Sequence, residues 1–170
     1  MPHPVSRIDF VAAMSRLAAT VNVVTTDGPA GRAGSTVSAM TSVSADGPAP
    51  TMLVCLNAGS ETAARILENG AFAINVLRED QQGVADAFAR RSSPQGGDKF
   101  AAARFAALPG GMPGLCGALV VFECRLASAQ LVGTHHVIVG EVTALEDAGE
   151  GRPLLYAHRA YHRGPAPVAG

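Results

Sequence analysis

The sequence predicts a mainly β protein, an antiparallel barrel carrying short helices, and three features predict it. Segments rich in β-branched residues follow one another along most of the chain. The helical segments between them are short and do not alternate regularly with the strands, as a doubly wound parallel sheet would require. No G-x-G-x-x-G opens a helix after a strand and no G-x-x-x-x-G-K occurs, so neither a dinucleotide nor a nucleoside triphosphate is held by the usual glycine loops.

Each element can be justified in order. "SRIDFVAAMSRLA" places Ile8, Val11, Met14 and Leu17 at helical spacing, with Ser6 as the N-cap. "VNVVTTD" is a β-branched strand closed by the turn signals of "DGPAGRAG". "GSTVSAMTSVSA" reads as the next strand, then "DGPAP", then the strand "TMLVCLN". "SETAARILENG" is a short helix: Ser60 suits the N-cap, Glu61 complements the dipole, and Gly70 stops it. "AFAINVL" is a strand, "EDQQGVADAFARR" a helix and "SSPQGGDK" a mobile loop. "ALVVFECRLASAQLV" and "HHVIVGEVTALE" form a long hairpin about Gly133, and "PLLYAHRAYH" is the last strand. Residues 1–170 therefore form a single domain, with an ordered core at 5–163 and a disordered tail, "GPAPVAG", at 164–170.

Composition excludes several classes of function. Hydrophobic residues make up 48% of the chain and charged residues only 16%, with a mean hydropathy of +0.21. That is apolar for a monomer of this size and points to surface covered by a second copy. The net charge is −1 with the basic residues scattered, so no nucleic-acid footprint is present. "MPHPVSRIDF" lacks the apolar core of a signal peptide, and no apolar run reaches membrane-spanning length. Cys55, Cys116 and Cys124 form no C-x-x-C pair and read as thiols in a reducing cytoplasm.

The segment at 34–45 poses the functional question. As a strand it points Thr36, Ser38, Ser42 and Ser44 to one face, and it carries no charge at all. A phosphate in a site poor in Lys and Arg is held by hydroxyls and backbone N–H groups, and a flat heteroaromatic ring with carbonyl and imide edges needs the same neutral partners. By itself the segment decides nothing, because an ordinary Ser/Thr-rich edge strand looks the same.

The order of segments decides more. The run from "VNVVTTD" through the hydroxyl strand and "TMLVCLN", then "SET", "FAINVL", "FA", "KF", "GTHHVIVGEV" and "PLLYAHRAYH", resembles the flavin reductase family over about residues 8–163. The resemblance implies a Greek-key antiparallel split β-barrel of the FMN-binding type. Within that family the chain is most similar to the small reductase components of two-component flavin monooxygenases and to the reductase of pyrimidine utilisation. It further implies an NAD(P)H:flavin oxidoreductase with FMN or FAD as flavin and NADH or NADPH as hydride donor. The implied partners are a second copy, in a homodimer, and a monooxygenase that takes the reduced flavin.

Site residues follow from the same resemblance. Thr36, Val37, Ser38 and Ala39 match the strand that lines the isoalloxazine ring, largely through backbone groups. Ser42, Leu56 and Asn57 fall at flavin-contact positions, and Ser60 and Thr62 match the helix start near the phosphate, itself a reasonable anion site. His135 matches a histidine over the flavin beside the nicotinamide; it reads equally as a satisfied barrel histidine, and His136 faces solvent. Arg159, Tyr161 and His162 match a C-terminal stretch that helps close the nicotinamide site. Two departures stand out. Ser35 replaces a bulkier rim residue, and Ala58 and Gly59 follow Asn57 where many members carry an Arg and a small residue. A phosphate-binding charge is thus in question, with Arg65 as a substitute. No acid–base constellation is needed, because hydride transfer uses the reactive atoms of the cofactors.

Two rivals remain at this level. One is a non-catalytic flavin- or haem-binding barrel, and the pyridoxamine-phosphate oxidases share the barrel type. The other is a metal protein using His135, His158 and His162 with Cys124, although adjacent histidines diverge and no tight ligand spacing is present.

Overall fold

The computed structural model of the chain describes residues 4–90 and 97–166. Among the described residues twelve strands run in chain order as β1 (Ala19–Thr20), β2 (Asn22–Thr26), β3 (Ala33–Val37), β4 (Met40–Ser44), β5 (Thr51–Asn57), β6 (Ala71–Val76), β7 (Phe105–Ala107), β8 (Pro113–Leu115), β9 (Val120–Val132), β10 (His135–Asp147), β11 (Leu154–Ala157) and β12 (Ala160–Arg163). Three helices accompany them: α1 (Arg7–Met14), α2 (Glu61–Asn69) and α3 (Gln82–Phe88). The main sheet has seven strands in the order β3-β2-β6-β9-β10-β5-β4, and its pairings are antiparallel. The crossing from β5 to β6 over α2 jumps β9 and β10, which gives a Greek-key rather than a meander order.

The hydroxyl segment is two strands, not one. β3 and β4 are the opposite edges of the seven-stranded sheet, yet only Ser38 and Ala39 lie between them. The three peptide steps from Val37 to Met40 span at most about 11 Å. The edges must therefore come together, and the sheet rolls into a barrel whose seam is Ser38–Ala39. Two backbone bonds pin the seam: Cys55 N–H to Ala39 O at 3.0 Å and Met40 N–H to Ser38 O at 3.1 Å. The single shared face expected for Thr36, Ser38, Ser42 and Ser44 is lost, because alternation holds only within one strand.

The last segment also divides. β11 and β12 form a hairpin whose turn is His158–Arg159, both in the left-handed region at φ 50° and 62°. Paired positive φ values are what a tight primed hairpin turn demands, at some steric cost in side chains with a Cβ. β9 and β10 form the expected hairpin around Gly133 at φ 58°.

Two clusters fill the interior. One packs Val24, Val54, Phe72, Ile74 and Ile138 inside the barrel under Ala63 and Ile66 of α2. The other packs Val23, Leu77, Phe88, Phe100, Leu115 and Val121 outside it, beneath α3. Strands β2 and β6 are buried on both faces, which is why they read as continuous apolar runs. Asn75 ties the layers: its amide donates to Val23 O at 2.8 Å, and its Oδ1 accepts from Leu115 N–H at 2.7 Å.

Helix α1 forms as expected, with Ser6 Oγ accepting from Asp9 N–H, but none of its residues is buried. Ile8 is 78% exposed and Leu17 59%. The apolar periodicity of this segment has no counterpart within the described chain. Of the expected mobile loop, residues 92–96 lie outside the described residues, as do residue 91 of the expected helix and residues 167–170 of the expected tail. Gly164 is packed, its N–H bonded to Pro153 O at 2.8 Å. Among the described residues no helix is long and apolar enough to cross a membrane.

Candidate functional site

The barrel seam opens into a cavity of about 570 Å³, within the range typical of sites for cofactors and small molecules. Thr36, Val37, Ser38 and Ala39 form one wall, and Leu56 and Asn57 at the end of β5 form the next. β3 is an edge strand, so its outer N–H and C=O groups face this space without a neighbouring strand. The Thr36 hydroxyl is committed elsewhere, donating to Ala85 O at 2.7 Å, so Thr36 offers the cavity its backbone.

Helix α2 supplies the third wall. Ser60 Oγ caps it by accepting from Ala63 N–H at 3.1 Å. Thr62, only 2% exposed, places its hydroxyl 2.8 Å from that of Ser35. The helix start and the edge of β3 are thereby joined at the cavity. Ala58, where a charged residue was in question, does not line the cavity; its N–H bonds Thr134 O at 2.9 Å. Arg65 does not line the cavity; it pairs with Glu61 at 2.5 Å and donates to Arg32 O at 2.6 Å.

His135 stands opposite Asn57 in the β5–β10 ladder and lines the cavity. Its Nδ1 lies 3.0 Å from Thr134 Oγ1. His136 takes the other face of β10, and there it is half-buried, not open to solvent as expected.

Ser42 does not meet the others. It lies exposed on β4, beyond the seam and beside a bulge between Ser42 and Ser44, and it does not line the cavity. Arg159 sits on the exposed β11–β12 turn and lines neither this cavity nor the second one. Tyr161 lines the second, smaller cavity of about 150 Å³, which shares Thr36, Val37, Ser38 and Ala89 with the first. There Tyr161 donates to Asp86 Oδ1 at 3.0 Å and packs edge-on to Tyr156 at 5.2 Å.

Residues the sequence reasoning missed come from α3 and from a short 3-10 turn, Lys99–Ala102. Phe88, Ala89, Arg90 and Lys99 close the fourth side of the cavity. The signal lay in "FA" and "KF", noted only as landmarks in the order of segments. Lys99 Nζ donates to Gly34 O at 2.7 Å. Partial burial, and then the Arg90 charge, hold its ammonium below the usual lysine range, while Glu61 acts in the opposite sense.

The candidate metal ligands do not converge. Cys124 is fully buried in the barrel, where desolvation and then Glu123 push its thiol up to about 12, and His158 is on the β11–β12 turn. Among the described residues no group of three His, Cys, Asp or Glu side chains is placed to hold an ion.

A neutral cleft with exposed strand backbone along one wall, a capped helix start at one end and two cations beside it suits a flat polar ring bearing an acidic tail. Residues 14–165 match the family described as the flavin reductase like domain. The chain belongs to the flavin reductase family. A relative from Methylorubrum extorquens strain DM4, named FMN reductase (NADH) RutF, is 44% identical over 168 residues, covering 98% of this chain and 80% of its own. Among solved structures, BorF, the flavin reductase component of a bacterial two-component tryptophan halogenase, superposes with a TM-score of 0.85. It is 31% identical, over 95% of this chain and all of its own. The styrene monooxygenase flavin reductase of Pseudomonas putida S12 follows at a TM-score of 0.81 and 28% identity, over 94% and 99%. The rolled, seamed sheet of this family member is thus the split barrel that the resemblance implied.

Proposed function

We propose that the chain is an NADH-dependent flavin reductase that binds FMN, or FAD, in the seam cavity. The convergence of Thr36–Ala39, Leu56, Asn57, Ser60, Thr62 and His135 on one cavity carries this reading, since these residues come from separate segments of the chain. The names of the relatives support it. When bound, the flavin supplies the acceptor for the hydride that a reduced nicotinamide donates.

The protein's part is positioning. The β3 edge and Asn57 hold the ring through neutral hydrogen bonds, and the small side chains of Ser38 and Ala39 allow close approach. His135, at the mouth, orients the nicotinamide against the ring. The second cavity, lined by Tyr156 and Tyr161, is where the hydride donor extends, and Arg159, on the exposed β11–β12 turn, helps close the nicotinamide site from outside both cavities. NADPH is the alternative donor.

The reductase works as a homodimer and passes reduced flavin to a separate monooxygenase. The dimer reading rests on the bare apolar face of α1 and on Leu131 and Val132 at the tip of the β9–β10 hairpin, 59% and 54% exposed. The monooxygenase reading rests on the reductases of two-component systems that share the fold. We place the protein in the cytoplasm, where Cys55, Cys116 and Cys124 remain thiols. The deciding experiment is steady-state oxidation of NADH with FMN, FAD or riboflavin, with NADPH as the alternative donor. Flavin-dependent turnover supports the reading, and flavin binding without turnover would leave a carrier or sensor.

A further inference from the structure

We propose that Asp86 is a positioning residue for hydride transfer: by holding Tyr161 it ties the β11–β12 hairpin to α3 and so fixes the second cavity. The inference rests on the reading of that cavity as the hydride donor's, and it adds a residue that lines neither cavity itself.

The bond joins two elements that are otherwise held from different sides. Helix α3 is set against the core by Val84, Ala85, Ala87 and Phe88, all buried. Gln81, just before its first turn, accepts from Arg78 N–H at 2.9 Å and donates to Gly117 O at 3.0 Å. Asp86, between two buried neighbours, is half-buried and points away from that core. The hairpin belongs to the three-stranded sheet of order β1-β11-β12, so β12 is an edge. On the β1 side it is held by the ladder and by His158 N–H to Ser15 O. On the α3 side Tyr161 reaches across and donates to Asp86 Oδ1 at 3.0 Å. At the far end of β12 Arg163 comes only within 3.9 Å of Glu79, with its side chain 78% exposed.

Helix α3 also grips the wall that the two cavities share. Ala85 O accepts from Thr36 Oγ1 at 2.7 Å, and Thr36 and Ala89 line both cavities. Consecutive residues of one helical turn, Ala85 and Asp86, thus hold the β3 wall and the tyrosine wall. The offset between the flavin's cavity and the donor's is therefore set by one helix. Hydride transfer is sensitive to that offset, since a misplacement of about 1 Å can cost about a hundredfold in rate. A carboxylate acceptor makes the bond stronger than a neutral one would. Tyr156 packs edge-on to Tyr161 at 5.2 Å, so a shift of one ring moves the other. Thr36, by contrast, is held by a backbone carbonyl, which the side chain at position 86 does not alter.

The test measures NADH kinetics at saturating FMN, FMN affinity by flavin fluorescence, and Tm. The proteins compared are wild type, Tyr161→Phe, Asp86→Ala, Asp86→Asn and the Tyr161→Phe/Asp86→Ala double variant. Tyr161→Phe removes the hydroxyl and keeps the ring. It should raise the KM for NADH and lower kcat, a combined loss of about five- to thirtyfold in kcat/KM, with FMN affinity within about twofold of wild type. Asp86→Ala should match it, and the double variant should lose no more than either single one, because both remove the same bond. Asp86→Asn, which keeps an acceptor oxygen, should retain most of kcat/KM. Losses that multiply in the double variant would overturn the proposal, as would equal falls in NADH and FMN affinity, or a Tyr161→Phe protein that matched wild type. Should Asp86→Ala fail to fold, the other two single variants decide: loss in Tyr161→Phe with retention in Asp86→Asn supports the proposal, and the same loss in both overturns it. Wild type that oxidised no NADH with any flavin would instead overturn the reading of the cavity.

Discussion

His135 lies directly across the β5–β10 ladder from Asn57, and both side chains line the seam cavity. The pairing places an exposed imidazole and an exposed amide side by side on one wall, set by register alone. His136, the next residue, pairs with Leu56 and projects to the other side. The two histidines are thus a built-in comparison.

His135→Ala should raise the KM for NADH and lower kcat, because a misplaced nicotinamide both binds less well and sits farther from the acceptor. The combined loss in kcat/KM should be about ten- to a hundredfold, modest because no proton transfer depends on the imidazole. Flavin affinity should stay nearly intact, and His136→Ala should leave kcat/KM close to wild type. Exchange of the two phenotypes would show the cavity on the wrong face of β10.

Ser38→Val tests the seam. Ser38 is one of only two residues joining the barrel edges, and it lines both cavities. The substitution removes a polar group and adds bulk where the ring must come close. Losing one such hydrogen bond costs on the order of 1–3 kcal/mol, so flavin affinity should fall about ten- to a hundredfold. Unchanged affinity in a folded variant would remove the seam from the site.

The pH dependence of FMN binding follows from Lys99. Its ammonium loses its proton below the usual lysine range, through burial and the charge of Arg90, with Glu61 opposing. A bound phosphate favours the charged form, so FMN binding raises the Lys99 pKa. Affinity should be flat between the second ionisation of the phosphate, at about pH 6, and the depressed Lys99 pKa, and should fall as pH rises through the latter, with proton uptake on binding in that upper interval. Riboflavin, lacking the phosphate, is the reference that cancels titration of the ring. Calorimetry in buffers of different ionisation enthalpy reads the uptake directly, and equal proton numbers for the two flavins would sink the idea.

Gly140→Ala should destabilise the barrel without touching the site. A Cβ at this position would lie 2.6 Å from Phe72 Cζ and 2.8 Å from Cys124 Cβ, both in the packed interior. Overpacking of this kind costs about 1–3 kcal/mol, a fall of several degrees in Tm for a chain of this length. Differential scanning calorimetry checks it; an unchanged Tm would mean that β10 is free to shift.

Light scattering at micromolar concentration should give about twice the chain mass of 17.3 kDa. Charged substitutions at Ile8 and Leu17 should shift the protein toward monomer, since nothing within the described chain covers these side chains. A stable, flavin-saturated monomer would contradict the dimer.

The class of fold was legible in the chain, and most of the residues expected at the seam do line one cavity. β-branched runs located β2, β5, β6, β9 and β10, because those strands bury at least one face and carry the corresponding apolar pattern. Ser60 and Gly70 bounded α2, because caps act through the nearest backbone groups. Features that depend on residues far apart in the chain emerged only in three dimensions. The break at Ser38–Ala39 has no local breaker; it exists because β3 and β4 serve opposite edges of one rolled sheet, and it moves Ser42 out of the cavity. The division of "PLLYAHRAYH" at His158–Arg159 likewise has no Gly or Asn to announce it. Helix α1 carried a periodic apolar face that the fold leaves bare, since periodicity records that a face is to be covered and not by which chain. Lys99 reaches Gly34, more than sixty positions earlier in the chain, and no local pattern encodes a contact of that separation. Its charge enters the cavity only because Phe100 anchors the turn beneath α3.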